Sequence, residues 1–261
     1  MTTQTQNLGA IGHTMFYADA ALGNRTAGFH NSIYRGKSLG SSVTADQYAQ
    51  ISAGTFDDLF IGDYWTIGSV NYRIAAFDYW LRTGNTECTT HHVVIVPDSN
   101  LATAKMNDTN TTTGGYAGSD IYTGNNSNTG LSTAKTTINS AFGSAHILAH
   151  RELLTNAVSG NAASGWAWYD STVELMNETM VYGHEANSEK VAGGLNYNVG
   201  IDKTQLPLFA HDPSKITNRA DWWLRSVVSS AYFAYVASNG VAFNNSASYS
   251  CGVRPAFAIR A

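Results

Sequence analysis

Bulky apolar positions run through this chain in short bursts separated by long polar stretches, and the spacing within each burst separates helices from strands. Thr44-Ala45-Asp46-Gln47 has the spacing of a capping box, in which the Thr hydroxyl and Gln amide satisfy backbone donors at a helix start. The short helix it opens is predicted to stop at Gly54. Ile61 to Ile67 and Val70 to Tyr79 flank Gly68-Ser69, a Gly-first pair that suits a type II′ hairpin. Trp65 and Ile67 would then share one face, and Val70, Tyr72, Ile74 and Ala76 one face of the partner strand. His92 to Val96 is a continuous apolar run halted by Pro97, the pattern of a buried strand. Ser132 is predicted to cap a helix reaching Phe142, with Ala134, Ile138 and Phe142 on one face and Gly143 as its stop. His146 to Leu154 and Thr172 to Met176 read as strands, and Asn177 as the cap of a short helical turn to Gly183.

Between these elements the pattern lapses. Residues 1–43 are polar and Gly-rich with scattered anchors such as Phe16, Phe29 and Tyr34, so an extended arm is expected, either packed back on the main domain or used for oligomerisation or docking. Residues 98–130 and 184–204 are rich in Asn, Thr, Ser and Gly and read as long loops, the first ordered around Tyr116 and Tyr122. Gly165-Trp166-Ala167-Trp168-Tyr169 is read as core filling beneath the loops, and Leu206-Pro207-Leu208-Phe209 as a return to the core. Near the end, Asn239-Gly240 signals a hairpin joining Ala231–Ala237 to Val241–Ser246. Phe233 and Tyr235 would lie on one of its faces, with Tyr232, Ala234 and Val236 on the other.

The terminal segment changes the picture most. Two bulky blocks, Trp222-Trp223-Leu224-Arg225-Ser226 and Gly252-Val253-Arg254-Pro255-Ala256-Phe257, enclose a stretch in which small residues alternate with aromatics and Asn. From Ser226 to Ala261 there is no Asp, Glu, Lys, Gln, Met or Trp. Tyr offers a large rigid contact at low entropic cost, while Ser, Gly and Asn adapt their hydrogen bonds, as in binding loops. An ordinary surface hairpin has a similar composition. The bulky flanking blocks, with the character of buried strands, favour recognition.

These blocks, with Phe233-Ala234, Val236 and Gly240 between them, resemble the C-terminal region of variable proteins diversified by retroelements, as found in gut phages. The resemblance runs from about Phe56 to the end and implies an α+β fold of the C-type-lectin-like (formylglycine-generating-enzyme-like) kind, with few short helices, mostly antiparallel strands and long loops. In that family a reverse transcriptase miscopies adenines, so Asn codons drift through a set of residues that lacks Lys, Glu, Gln, Met and Trp. Every residue from Ser226 to Cys251 belongs to that set. With the arm and the short helix occupying 1–55, the resemblance implies a ligand-binding domain over 56–261 and a variable region of about 222–254. Ser226, Ser230, Tyr232, Tyr235, Ala237, Ser238, Asn239, Phe243, Asn244, Asn245 and Tyr249 would be the variable, outward residues that touch ligand. Trp222, Trp223, Leu224, Arg225, Val253, Arg254 and Phe257 would be the scaffold. The implied role is a phage tail adhesin that binds a bacterial surface protein or glycan, sits among other virion proteins and forms a homo-oligomer such as a trimer. It would reside in the virion, or in the bacterial cytoplasm before release.

Composition narrows the alternatives. Charged residues make up 13% of the 261 and the net charge is −4, so nucleic acid is not an expected partner. No apolar run reaches the length of a membrane span, and Met1 to Asn7 lacks the basic and apolar regions of a signal peptide. The two cysteines, Cys88 and Cys251, are expected as free thiols. An enzyme built on His146, His150 and Cys88 is the rival reading, and an undiversified structural virion protein that lacks a ligand is a third. However, His146 lacks the Glu that follows the first His of a zinc-protease motif, and Cys88 with His91 and His92 has no second ligand pair at zinc-like spacing. The related oxidases need paired active-site cysteines, and calcium-dependent lectins need a Glu-Pro-Asn run that does not occur here. Asn107, Asp108, Asn110 and Thr111 offer oxygens, but loop hydrogen bonding accounts for them. No cofactor, metal ligand or catalytic residue is therefore expected.

Overall fold

Two five-stranded sheets are joined near the end of the chain, through the single residue Arg254. The computed structural model describes residues 26–188 and 204–261. The first sheet has the order β1-β2-β3-β12-β7 and is antiparallel throughout, built from Tyr64–Ile67, Val70–Phe77, Val93–Pro97, Pro255–Ile259 and Val173–Leu175 respectively. The second has the order β10-β9-β8-β11-β4, from Ala242–Ser246, Tyr232–Val236, Trp222–Val227, Ser250–Val253 and Ala102–Lys105. Its strands are antiparallel except where β11 runs parallel to β8. A separate hairpin pairs β5, His150–Ser159, with β6, Ala162–Ser171. The fold is thus α+β, with few helices and mostly antiparallel strands.

Alternation along β8 and β9 explains why Trp222–Leu224 and Phe233–Val236 are continuous buried runs with no polar period. Trp222, Leu224, Ala234 and Val236 face a first core shared with Ile74, Ile95 and Phe257, while Trp223, Phe233 and Tyr235 face a second core with Tyr116, Leu131 and Val253. Successive side chains point to opposite faces, so a strand covered on both sides has no polar period. The chain leaves the second sheet at Val253 and enters the first at Pro255, and Arg254 marks the crossing.

Local signals place several elements where they were expected. Thr44 and Gln47 form the reciprocal capping box of the Ala45–Ala53 helix, and Gly54 ends it at φ +69°. Ile67 pairs with Val70 across Gly68 at φ +63°, and β3 is buried along its length up to Pro97. The Asn177 side chain accepts the Met180 N–H, and Gly183 closes that turn. Leu206, Leu208 and Phe209 are buried, with Pro207 opening a short helix.

Other boundaries move for tertiary reasons. The long helix begins at Gly130, with Thr129 at its N-cap, and the Ser132 hydroxyl donates to Thr129 O inside the first turn instead of capping it. A Cβ at Gly130 would overlap Ala104 of β4, so helix and strand approach this closely only through glycine. The strand expected from His146 starts at His150, because Ser144–His146 is a 3₁₀ turn that places Ile147 against Ile259. The long 98–130 loop contains β4 and a helical turn, Asp120–Thr123. Gly165–Tyr169 is the middle of β6, half-buried, with only Trp166 and Tyr169 packed on the second core. In the arm, Ala27–Asn31 is helical and Tyr34 and Ser38 bridge to Ile61 and Tyr64; its residues 1–25 lie outside the described residues, as do 189–203 of the other long loop.

Candidate functional site

The β8-β9-β10 edge carries a row of aromatics that climbs from the core to solvent. Trp223 stands opposite Tyr235, and Tyr235 opposite Phe243, so all three share one face. Their ring centroids are 6.2 and 6.1 Å apart, both edge-to-face. Trp223 is fully buried and donates its indole N–H to Ala104 O at 2.8 Å, Tyr235 is 8% exposed, and Phe243 is 54% exposed. Tyr232, Val241 and Tyr249 are also exposed, at 40%, 52% and 47%. Among the described residues the only other large apolar side chain so exposed is Tyr34, which marks 232–249 as an unusual concentration. Tyr232 pairs with Ser246 on the opposite face, so the aromatics wrap around the β10 edge instead of lying in one plane.

The loops at this edge are held from below. At the hairpin end, Gly240 N–H bonds to Ala237 O and Ala237 N–H to Val241 O, with Gly240 at φ +88°, a turn with a glycine bulge that needs its left-handed residue. Asp221 accepts Ser238 N–H at 2.8 Å, the Thr217 hydroxyl donates to Ser238 O and the Tyr182 hydroxyl to Gly240 O. At the other end, Thr112 bonds Ser229 O and Ser230 O, and Asn110 Oδ1 accepts Ala247 N–H. The 107–111 run thus fastens loops: Asn107 Oδ1 accepts Asp120 N–H, and the Asp108 N–H donates to Asp120 Oδ2. Thr112, Thr217 and Tyr182 give no local sequence signal, since their partners are distant in the chain.

Of the outward residues expected from the sequence, Ser230, Tyr232, Ser238, Asn239, Phe243 and Tyr249 are exposed, and Ser226, Ala237, Asn244 and Asn245 are half-buried. Tyr235 needs correcting. It is enclosed by the second core, and burial raises its hydroxyl pKa, so it supports Phe243 from beneath and is not a free ligand contact. Ser226 also has inward work, its hydroxyl accepting the Glu178 N–H at 3.0 Å. Trp222, Trp223, Leu224, Arg225, Val253, Arg254 and Phe257 are all buried.

The two arginines of the flanking blocks do different jobs. Arg225 pairs with Glu152 of β5, and also donates to Leu175 O at 3.1 Å. Glu152 additionally bonds His150 Nε2 at 3.0 Å; although burial opposes ionisation, Arg225 and His150 hold its pKa below the usual carboxylate value. Arg254 spends its guanidinium on backbone carbonyls of Pro97, Ile216 and Lys215, between the rings of Trp222 and Phe209. Gly252 completes that block, since a Cβ there would overlap the Asn100 amide that bonds Asp221 O.

His146, His150 and Cys88 have structural partners. His146 stacks on Tyr48 and bonds Arg260 O, and His150 stacks on Trp80. Cys88 and Cys251 are buried free thiols, each with its pKa raised mainly by burial, Cys251 to about 12, the reverse of an activated nucleophile. Among the described residues no three His, Cys, Asp or Glu side chains gather as a metal site would require, and no helix is long and apolar enough to cross a membrane.

Residues 171–261, from the end of β6 through β12, match the family model DUF6273, a domain of unknown function. The match covers less than half of the chain and includes the whole aromatic edge. No curated protein and no solved structure matches the chain.

Proposed function

We propose that this is a ligand-binding protein of receptor-recognition type, whose contact surface is the β9-β10 edge and the turn after it. The observation that carries the reading is the concentration of exposed Tyr232, Val241, Phe243 and Tyr249 on a frame that is wholly buried. Fastened loops keep the surface preorganised, which limits the entropy lost on binding. The resemblance to retroelement-diversified variable proteins, with their C-type-lectin-like fold, extends the proposal to a phage tail adhesin that meets a bacterial surface protein or glycan. In that setting several weak sites on one oligomer would act together. Recognition, not catalysis, suits a site made of aromatic and amide side chains whose nearby thiol is buried.

The test is a Tyr232→Ser, Phe243→Ser, Tyr249→Ser variant of the whole chain, fluorescently labelled and applied to a panel of intact gut bacteria. Folding should survive, because exposed substitutions typically shift stability within about 0.5 kcal/mol each, while cell binding should be lost. Retained binding by a folded variant would overturn the assignment. The diversification part is checked in the surrounding genome. A reverse transcriptase gene and a near-copy of the 226–254 coding segment, differing mainly at adenines, are expected, and their absence would leave a fixed binding domain.

A further inference from the structure

We propose that the chain carries a second binding site, distinct from the aromatic edge: a pocket for a small organic cation with a primary ammonium group, bounded by Asp120–Thr123, the Gly130–Phe142 helix and strands β6 and β7. The cavity measures about 320 Å³ and is lined by Tyr122, Leu131, Lys135, Asp170 and Glu174 among others. Glu174 is 7% exposed, and its carboxylate accepts hydrogen bonds from two neutral donors, the Tyr116 hydroxyl at 2.7 Å and the Ser171 hydroxyl at 2.6 Å. Arg225 also reaches it electrostatically but is paired to Glu152. A buried carboxylate bonded by neutral groups is one that a cation would stabilise.

The two lining carboxylates, Glu174 and Asp170, outnumber the one lining cation, Lys135. The Tyr122 hydroxyl is pushed up to about 12 by burial and then by Glu174, Tyr169, Glu152 and Asp170. Tyr122 is the aromatic residue that lines the pocket, and its ring is backed edge-to-face by Tyr116 and Tyr169 at 5.2 and 5.9 Å, which offers an ammonium group one π-face. An ammonium brings three donors and no acceptor, which matches carboxylate and phenol oxygens, whereas an anion would meet Glu174 and Asp170 as like charges. Lys135, exposed at the rim, is the cation a ligand would have to displace or slip beneath.

The protonation of Glu174 sets the pH dependence. Burial and the neighbouring Glu152 push it up to about 7, against Ser171, Tyr116 and Arg225. The other charged groups at the site are Asp170 of β6 and Lys135 of the long helix. A cation selects the ionised carboxylate and releases its proton, so binding strengthens as pH rises through about 7. If only the ionised form binds, affinity at about pH 6 should be roughly tenfold weaker than at about pH 8.

Cyclohexylammonium and cyclohexanol share a ring and differ in the charged group, so they are the probes, titrated by NMR against the full chain. Cyclohexylammonium should bind at about millimolar Kd with the tenfold pH effect, and cyclohexanol should not. Glu174→Gln should weaken cyclohexylammonium at least tenfold and leave no pH dependence. Equal binding of both probes, binding of neither, or undiminished binding by a folded Glu174→Gln protein would overturn the site. Should that variant not fold, the wild-type pH profile decides: a flat profile contradicts the proposal. Cell binding through the aromatic edge is read separately and does not depend on the result.

Discussion

Trp223→Ala should destabilise the chain by roughly 3–5 kcal/mol, the usual cost of emptying a buried Trp site. Trp223 is fully buried in the second core, beside Phe233, Leu131 and Val253, and its indole N–H ties β8 to Ala104 of edge strand β4. Truncation leaves a void that surrounding strands fill only partly, and it deletes that hydrogen bond. Phe243→Ala, in the same aromatic row but 54% exposed, should cost within about 0.5 kcal/mol. The difference is a shift in urea midpoint at unchanged slope. Similar losses for the two variants would show that the row does not run from core to surface.

Arg225→Met should cost about 3–5 kcal/mol near neutral pH, for an electrostatic reason. The thioether keeps much of the packing but leaves Glu152, 2% exposed on its side chain, without its guanidinium. In the native protein Arg225 and His150 depress the Glu152 pKa despite burial, so Glu152 contributes stability above its unfolded value, lost as pH falls through its folded value. Without Arg225, burial and Glu174 act to raise that pKa, and the sign reverses: the variant should recover stability as pH is lowered from about 8 toward about 5, where a buried carboxyl becomes neutral. Thermal melts of both proteins across that range read the effect. A variant that loses stability in parallel with the wild type on acidification would show that the Arg225–Glu152 pair is not what fixes β8 to β5.

What the sequence disclosed was mostly local. The Thr44 capping box, the Gly68 turn, Pro97 and the Asn177 cap each depend on residues a few positions apart, and each forms as read. The alternation in β9 was legible too, placing Phe233 with Tyr235 against Ala234 with Val236. Which face meets water was not, because it depends on distant cover. Tyr235 is closed over by a core that includes Tyr116 and Leu131, more than a hundred residues earlier in the chain. Likewise β4 looked like loop because its four residues, Ala102 to Lys105, gain strand structure only by pairing with Ser250–Val253. The half-exposed β6 hid its strand in a Gly-flanked aromatic run, and its partner β5 supplies the register.

The terminal blocks gain their meaning from topology. β11 and β12 belong to different sheets, so Val253-Arg254-Pro255 is the stitch between them, and Arg254 secures it through three backbone carbonyls. Between the stitch and the Trp222–Val227 strand, β9 and β10 project as an edge whose outer residues carry little of the packing. Such an edge can change its chemistry at small cost in stability.

The most direct measurement is a single-substitution scan of residues 222–257, displayed on a surface and sorted for protease resistance. Ser230, Tyr232, Ser238, Asn239, Phe243 and Tyr249 should accept nearly all polar and aromatic replacements, while Trp222, Trp223, Leu224, Arg225, Tyr235, Val253, Arg254 and Phe257 should accept almost none. Uniform tolerance along the segment, or intolerance concentrated at Tyr232, Phe243 and Tyr249, would contradict the division between a buried frame and a freely varied edge.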